Sequence, residues 1–360
     1  MKVALIFSLL LLNTIGEAKS TKNVILISID GLKDSAVTAT GTPNLYQRIQ
    51  TGQKAISAKS ALPPRTIPNH TTMLTGLNPT THGLLKNSSS SAKTVEHPTI
   101  FDILFEQKEN FTGAAVIGKK KLAYLVSKDG PEKTQTQLSG AYNTTSSPVA
   151  TDTYIMQAIR YKTNMHGTKQ TKDLVLETLD SGLPNLLFIH FSSADFSGHY
   201  AGYSAEKWDS PEYLRQVKAI DSSIAEIITK VESIDSNLSE TVFVVTSDHG
   251  GHFSYGAQNG DLLSIKNINH GDHGVIKNAE KTGLDKELVS DVLQLVESDF
   301  LSVDLEIPWI IFGGESQKYS ISSDIHQVDT APTVLQLLGA EIPKSFEGSS
   351  AVFLECFPKK

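Results

Sequence analysis

Five short runs of almost unbroken apolar residues mark strands covered on both faces: 24–29 (VILISI), 114–117, 186–191 (LLFIHF), 241–246 (TVFVVT) and 309–312 (WIIF). Between them lie stretches with helical spacing at 99–107, 151–161, 171–179, 211–231 and 330–338. In the last of these Pro332 stands near the start and Gly339 just past the end, the asymmetry a helix prefers. Strands alternating with helices predict an α/β fold on a mostly parallel sheet. Two polar segments, 87–95 and 127–149, interrupt the alternation and read as exposed loops or as part of a cap over a site. A third insertion, 253–304, holds a further helical pattern at 286–297. With no internal repeat and no clean linker, residues 19–360 are expected to form one domain with insertions near 127–149 and 253–304.

Composition narrows the function. The chain has 360 residues, of which 39% are hydrophobic and 20% charged, enough for one substantial core. A formal net charge of −7 argues against a nucleic-acid duplex as partner, because neutralising many phosphates needs a basic excess. It does not argue against a small phosphate ester or nucleotide, since bound metal ions can dominate a local field. Residues 1–18 have the layout of an export signal: Lys2, an apolar run over 3–12, then Gly16 and Ala18 as the small residues before a cleavage site. That layout predicts a periplasmic or secreted protein. The apolar run is too short to span a membrane, and no later stretch reaches the roughly 20 apolar residues a span needs. Cys356 is the only cysteine, so any metal must be held by His, Asp or Glu. Asn87, Asn110, Asn143 and Asn237 stand in Asn-x-Ser/Thr sequences, which matter only in a eukaryotic secretory pathway.

Candidate chemistry sits just beyond the strands. Asp30 follows the first (SIDG), Asp195 and His199 follow the 186–191 run (ADFSGH), and Asp248 and His249 follow the 241–246 run (TSDHGG). An Asp behind a strand is by itself a helix cap or turn residue. Three such segments at one end of parallel strands converge on one sheet edge, where carboxylates and imidazoles without thiolates suit zinc, with manganese or iron as the alternatives. Residues 63–76 (PPRTIPNHTTMLTG) read as a helix with Pro68 in its first turn and Gly76 at its stop. Thr66 then lies at a helix N-terminus, either as a plain cap or as a nucleophile facing an anion. Asn69, three residues on, has an amide that could donate to a phosphoryl oxygen. Arg65 points away from its neighbour Thr66 and takes no phosphate role. Phe196, Tyr200, Tyr203 and Tyr255 lie near these segments and either stack on a base or pack the core.

In order along the chain, SIDGL, RTIPNHTTMLTG with its following THG, DFSGH, TSDHGG and IPWIIFG resemble the alkaline phosphatase superfamily, specifically its nucleotide pyrophosphatase/phosphodiesterase branch. The resemblance runs from residue 23 to Gly339. It implies an alkaline-phosphatase-like three-layer sandwich with a mostly parallel central sheet, inserted cap loops and two zinc ions per chain. Asp30, Asp248 and His249 would hold one zinc, which also contacts the nucleophile Thr66. Asp195 and His199 would hold the other, with a later His-Gly element. Here an insertion displaces that element, leaving His273 (DHG), favoured for its nearness to IPWIIFG, His270 (NHG), and His252 in third place. His82 and His252 would orient loops, and His70 would pack. The activity implied is a phosphodiesterase or nucleotide pyrophosphatase working through a phospho-threonine; a phosphomonoesterase, a phosphonate hydrolase or a non-catalytic binding protein are the competing readings.

Overall fold

The computed structural model describes residues 21–85, 87, 95–128, 164–201, 208–251, 305–314 and 316–354. The export signal, the helical patterns at 151–161 and 286–297, the insertion 253–304, and His252, His270, His273, Tyr203 and Tyr255 lie outside the described residues.

Six strands form the central sheet in the order β2-β7-β6-β1-β5-β4. They are β1 (Asn23–Ile29), β2 (Gln53–Lys54), β4 (Gly113–Ile117), β5 (Leu186–Phe191), β6 (Thr241–Thr246) and β7 (Trp309–Gly313). Every residue of β4, β5 and β6 is buried, as continuous apolar runs require when both faces are covered. β1 lies in the middle, parallel to β5 on one side and β6 on the other, with Ser28 level with both His190 and Thr246. This shared register brings the chain out of all three strands at the same height. β7 departs from the parallel pattern: it runs antiparallel to β6, and β2 runs antiparallel to β7, so the 309–313 strand leaves on the opposite edge. Two small pairs lie apart from this sheet, β3 (Ser57–Lys59) with β9 (Asp324–His326) and β8 (Tyr319–Ile321) with β10 (Val352–Leu354).

Helices flank the sheet in two groups. One comprises α1 (Pro43–Ile49), α5 (Asn164–Asp180), α6 (Ser193–Ala201) and α7 (Pro211–Ile234). The other comprises α2 (Thr66–Thr75), α4 (Ile100–Gln107) and α8 (Thr330–Leu337), with short α3 (Pro79–His82) packed on α2. Thr99 caps α4 through a reciprocal box with Asp102, and Ser210 caps α7. α1 has no such residue of its own. Buried Asp221 on α7 takes over, accepting from Asn44 N at 3.0 Å and Leu45 N at 2.9 Å. The Asp195–His199 segment belongs to a helix, α6, whose entry is tied to β1 by Asp195 N donating to Asp30 O at 3.0 Å.

Candidate active site

The common height of β1, β5 and β6 decides where the acidic residues meet. Asp30 leaves β1, Asp195 stands in the first turn of α6 just after β5, and Asp248 with His249 follows β6. All four are buried. Asp30, Asp195 and His249 each present one atom, and these lie within 4.8 Å of one another. His249 Nε2 is 3.5 Å from Asp30 Oδ1, 3.5 Å from Asp248 Oδ2 and 3.8 Å from Asp195 Oδ1. His199, one turn along α6, places Nε2 3.1 Å from Asp195 Oδ1.

Three features fit a divalent cation here. Asp30 Oδ1 and Asp248 Oδ2 are buried yet accept no hydrogen bond among the described residues, and such atoms are costly without a partner. His249 Nδ1 donates to Gly250 O at 2.9 Å, which leaves Nε2 facing the carboxylates, where a cation that displaced its proton would find the ring's lone pair. The donor set, carboxylate oxygens and imidazole nitrogen without sulfur, suits zinc.

Lys119, just after β4, supplies counter-charge: its Nζ is 2.7 Å from Asp30 Oδ2 and 2.6 Å from Asp195 Oδ2, and it lies over the Phe196 ring. Electrostatics divides the acids accordingly. Burial opposes the charge on Asp30, yet Lys119, His190 and His249 outweigh it and hold that carboxyl well below its usual range. Asp195 is lowered too, with Lys119 and His199 overcoming burial and the nearby Asp30. For Asp248, burial followed by Asp30 outweighs the charges of His249 and Lys119 and pushes it up to about 7. For His249 burial is outweighed by Asp248, Asp30 and Asp195, which raise it to about 10.

Thr66 opens α2 and is buried. A buried histidine links this turn to the acidic cluster. His70 Nδ1 donates to Thr66 O at 2.7 Å and lies 3.4 Å from Asp248 Oδ2, while Ser28 Oγ donates to its Nε2 at 2.9 Å. Asn69 does not face Thr66. Its Oδ1 accepts from Ala61 N at 2.6 Å and its Nδ2 donates to Ala61 O and Pro63 O at 3.0 and 2.9 Å, so its amide is spent on the preceding loop. The amide that does approach the hydroxyl belongs to Asn87, whose Nδ2 lies 3.5 Å from Thr66 Oγ1. Its Oδ1 accepts from Ile67 N at 3.2 Å and from Lys121 Nζ at 2.7 Å, which fixes the nitrogen toward Thr66. Burial, and then the charge of Lys119, push Lys121 down to about 8, which leaves it a cation at neutral pH.

Sequence reasoning passed over Lys119, Lys121, His190 and Trp208, and met Asn87 only as part of a glycosylation sequence. The histidine in an otherwise apolar run was a signal: His190 Nε2 donates to Asp30 Oδ2 at 3.0 Å, its tautomer set by Gly118 N donating to Nδ1 at 3.1 Å. Trp208 gave none, yet the ligand segments close around it. A side chain added at Gly31, Gly198 or Gly251 would begin 2.9, 2.5 or 3.0 Å from Trp208 atoms. The glycines of SIDG, DFSGH and DHGG are thus the space Trp208 occupies. His82 acts away from this cluster, accepting from Leu84 N at Nδ1 and donating from Nε2 to Thr72 Oγ1 at 3.1 Å.

Comparison with known proteins identifies a family and a fold. A family model described as type I phosphodiesterase / nucleotide pyrophosphatase matches residues 24–285. The bis(5'-adenosyl)-triphosphatase enpp4 of Mus musculus is 25% identical over 237 residues, covering 64% of this chain and 47% of the relative. Its Homo sapiens counterpart is 23% identical over 252 residues, covering 69% and 52%. The chain therefore spans about half the length of the curated relatives it matches. Among solved structures, wild-type alkaline phosphatase PafA superposes with a TM-score of 0.57 at 14% identity, covering 92% of this chain and 98% of that one. A 2-O GAG sulfatase gives 0.55 at 13% identity, covering 92% and 73%. Both share the alkaline-phosphatase-like fold.

Proposed function

Because the chain belongs to the type I phosphodiesterase/nucleotide pyrophosphatase family, we propose that it is a zinc-dependent phosphoester hydrolase whose nucleophile is Thr66. The convergence of Asp30, Asp195, Asp248 and His249 at the ends of three parallel strands, with Thr66 at the nearby start of α2, is the observation that supports it. The mouse and human relatives are bis(5'-adenosyl)-triphosphatases, which favours a nucleotide pyrophosphate or diester as substrate.

Asp30, Asp248 and His249 would hold one zinc next to Thr66, and Asp195 with His199 would hold a second, completed by His270 or His273 from outside the described residues. Zinc supplies Lewis-acid charge that lowers the hydroxyl's pKa and steadies the departing oxygen. The protein's part is placement. Donation from His70 to Thr66 O fixes the first turn of α2, and the Asn87 amide stands ready for an oxygen of the phosphoryl group. Thr66 Oγ bonds to phosphorus, the ester bond breaks, and the hydroxyl's proton leaves with the departing alcohol or phosphate. Water then attacks the phospho-threonine, the Oγ–P bond breaks, and Thr66 regains a proton.

Zinc-loaded protein turning over bis(4-nitrophenyl) phosphate, with a phosphorylated Thr66 peptide after acid quench, is the expected result. Full activity in Thr66→Ala, or fewer than about two zinc per chain, contradicts it. The export expectation remains a proposal, tested by the N-terminal sequence of the mature protein.

A further inference from the structure

His190 is the only polar residue of the LLFIHF run, and it is fully buried with both ring nitrogens engaged. Register explains its reach. His190 is level with Ser28 across the β5–β1 pair, and Asp30 follows two residues after Ser28, on the face that strand alternation assigns to both. Nε2 donates to Asp30 Oδ2 at 3.0 Å and Nδ1 accepts from Gly118 N at 3.1 Å, so the neutral ring carries its proton on the carboxylate side. The His70 ring meets it edge-on, with centroids 4.9 Å apart, and holds its plane. Lys119 Nζ is 2.7 Å from the same Asp30 oxygen. A carboxylate oxygen has about two lone-pair sites, and these two donors fill those of Oδ2. Oδ1 accepts no hydrogen bond among the described residues and lies 3.5 Å from His249 Nε2. Asp30 is thus divided, one oxygen held by the protein and the other facing the site. Lys119 is shared with Asp195, whereas the His190 N–H is spent on Asp30.

We propose that His190 is a positioning residue that confines Asp30 to a single metal-binding oxygen, and that it thereby favours zinc over cations that gather more oxygens. The inference rests on the zinc reading above, but not on Thr66 as nucleophile. Zinc is satisfied by about four ligands, whereas manganese prefers an octahedral shell rich in oxygen. A carboxylate free to offer both oxygens raises the coordination number without another residue, which serves manganese and not zinc. With Oδ2 closed, Asp30 contributes one bond, aimed before the ion arrives. Without His190 one lone-pair site of Oδ2 is vacated, the carboxyl can turn, and both the aim and the limit are lost.

The test uses the full chain freed of metal by chelation and reloaded with zinc alone or manganese alone, each Kd being read by competition with a chromophoric chelator. His190→Phe keeps a ring and removes the donor, and His190→Gln keeps an N–H for Asp30. His190→Phe is expected to weaken zinc by about 10- to 100-fold and manganese by far less, so that the zinc-to-manganese preference falls. His190→Gln should recover most of that preference. If His190→Phe does not fold, His190→Asn, with its shorter amide, takes its place with the same fall expected. An unchanged zinc Kd overturns the inference, and so does equal weakening of both ions, which is what a general loss of structure would produce. A wild type that binds no zinc overturns this inference together with the zinc reading. Tight zinc binding with full activity in Thr66→Ala removes the nucleophile alone and leaves His190 to be judged by the two affinities.

Discussion

Lys119 is bound to Asp195 through an ion pair of 2.6 Å between residues that reach the site from neighbouring strands, β4 and β5. Removing one partner of a buried pair strands the other. After chelation, Lys119→Met should therefore be less stable than wild type by about 3–5 kcal/mol. Adding zinc should narrow that gap, because a cation restores charge to Asp30 and Asp195. Thermal melts of both proteins with chelator and with zinc check this, and identical melts under chelation would count against it.

Asn69 and Asn87 separate structural from chemical use of one amide. Asn69→Ala deletes three bonds to the 61–63 loop and should lower stability by about 2–4 kcal/mol. Asn87→Ala takes an acceptor from Ile67 N and Lys121 Nζ and should lower stability by about 1–2 kcal/mol, but it should also lower kcat by about 10²-fold, as for loss of one oxyanion donor, an effect that Asn69→Ala should not share. Swapped outcomes in melts and steady-state kinetics would reverse the assignment.

The contrast between these two shows where the sequence was legible. Strands with both faces buried leave continuous apolar runs, so β5 and β6 were placed to the residue and β1, β4 and β7 to within one. Asp30, Asp195, Asp248 and His249 could be found because each directly follows such a run. Asn87 could not, because it reaches Thr66 from 21 positions away through a polar stretch whose only evident pattern is a glycosylation sequence. Lys119 and Lys121 look like ordinary surface charge in GKKKL until the turn after β4 is placed beside β5. Sequence spacing chose Asn69 by helical neighbourhood, but its side chain turns back to the loop before α2.

His82 predicts an acid-sensitive fold. Burial lowers it from the ordinary imidazole value to about 4, and its Nδ1 is engaged by Leu84 N–H. Unfolded chains take up this proton below about 6.5 while the folded chain resists it until about 4. Stability is therefore complete above that window and falls by about 3 kcal/mol as pH drops through it. Buried His70 and His190 are lowered too and act with the same sign. Denaturant titrations from pH 7 to about 4 should show a shallower loss in His82→Gln; an unchanged slope would falsify the assignment.

Gly198→Ala tests the packing around the ligand segments. Alanine in a helix ordinarily stabilises by up to ~1 kcal/mol over glycine. Here the new methyl would meet the rigid Trp208 ring at 2.5 Å, so a net loss of about 1–3 kcal/mol is expected. Zinc affinity, read by competition with a chromophoric chelator, should weaken with it, since His199 lies on the next residue. A stabilised variant would show that the ring yields freely.

The three glycines around Trp208 also give the protein a built-in optical probe. The chain has only two tryptophans, and the other, Trp309, lies on β7 with its indole nitrogen donating to Thr330. With Trp309 replaced by phenylalanine, emission would come from the single indole wedged between the strand-end loops. His199 meets that indole edge-on, with ring centroids 5.6 Å apart. Quenching and spectral shift would then follow metal loading in real time, without a labelled substrate and independently of whether any ester is cleaved.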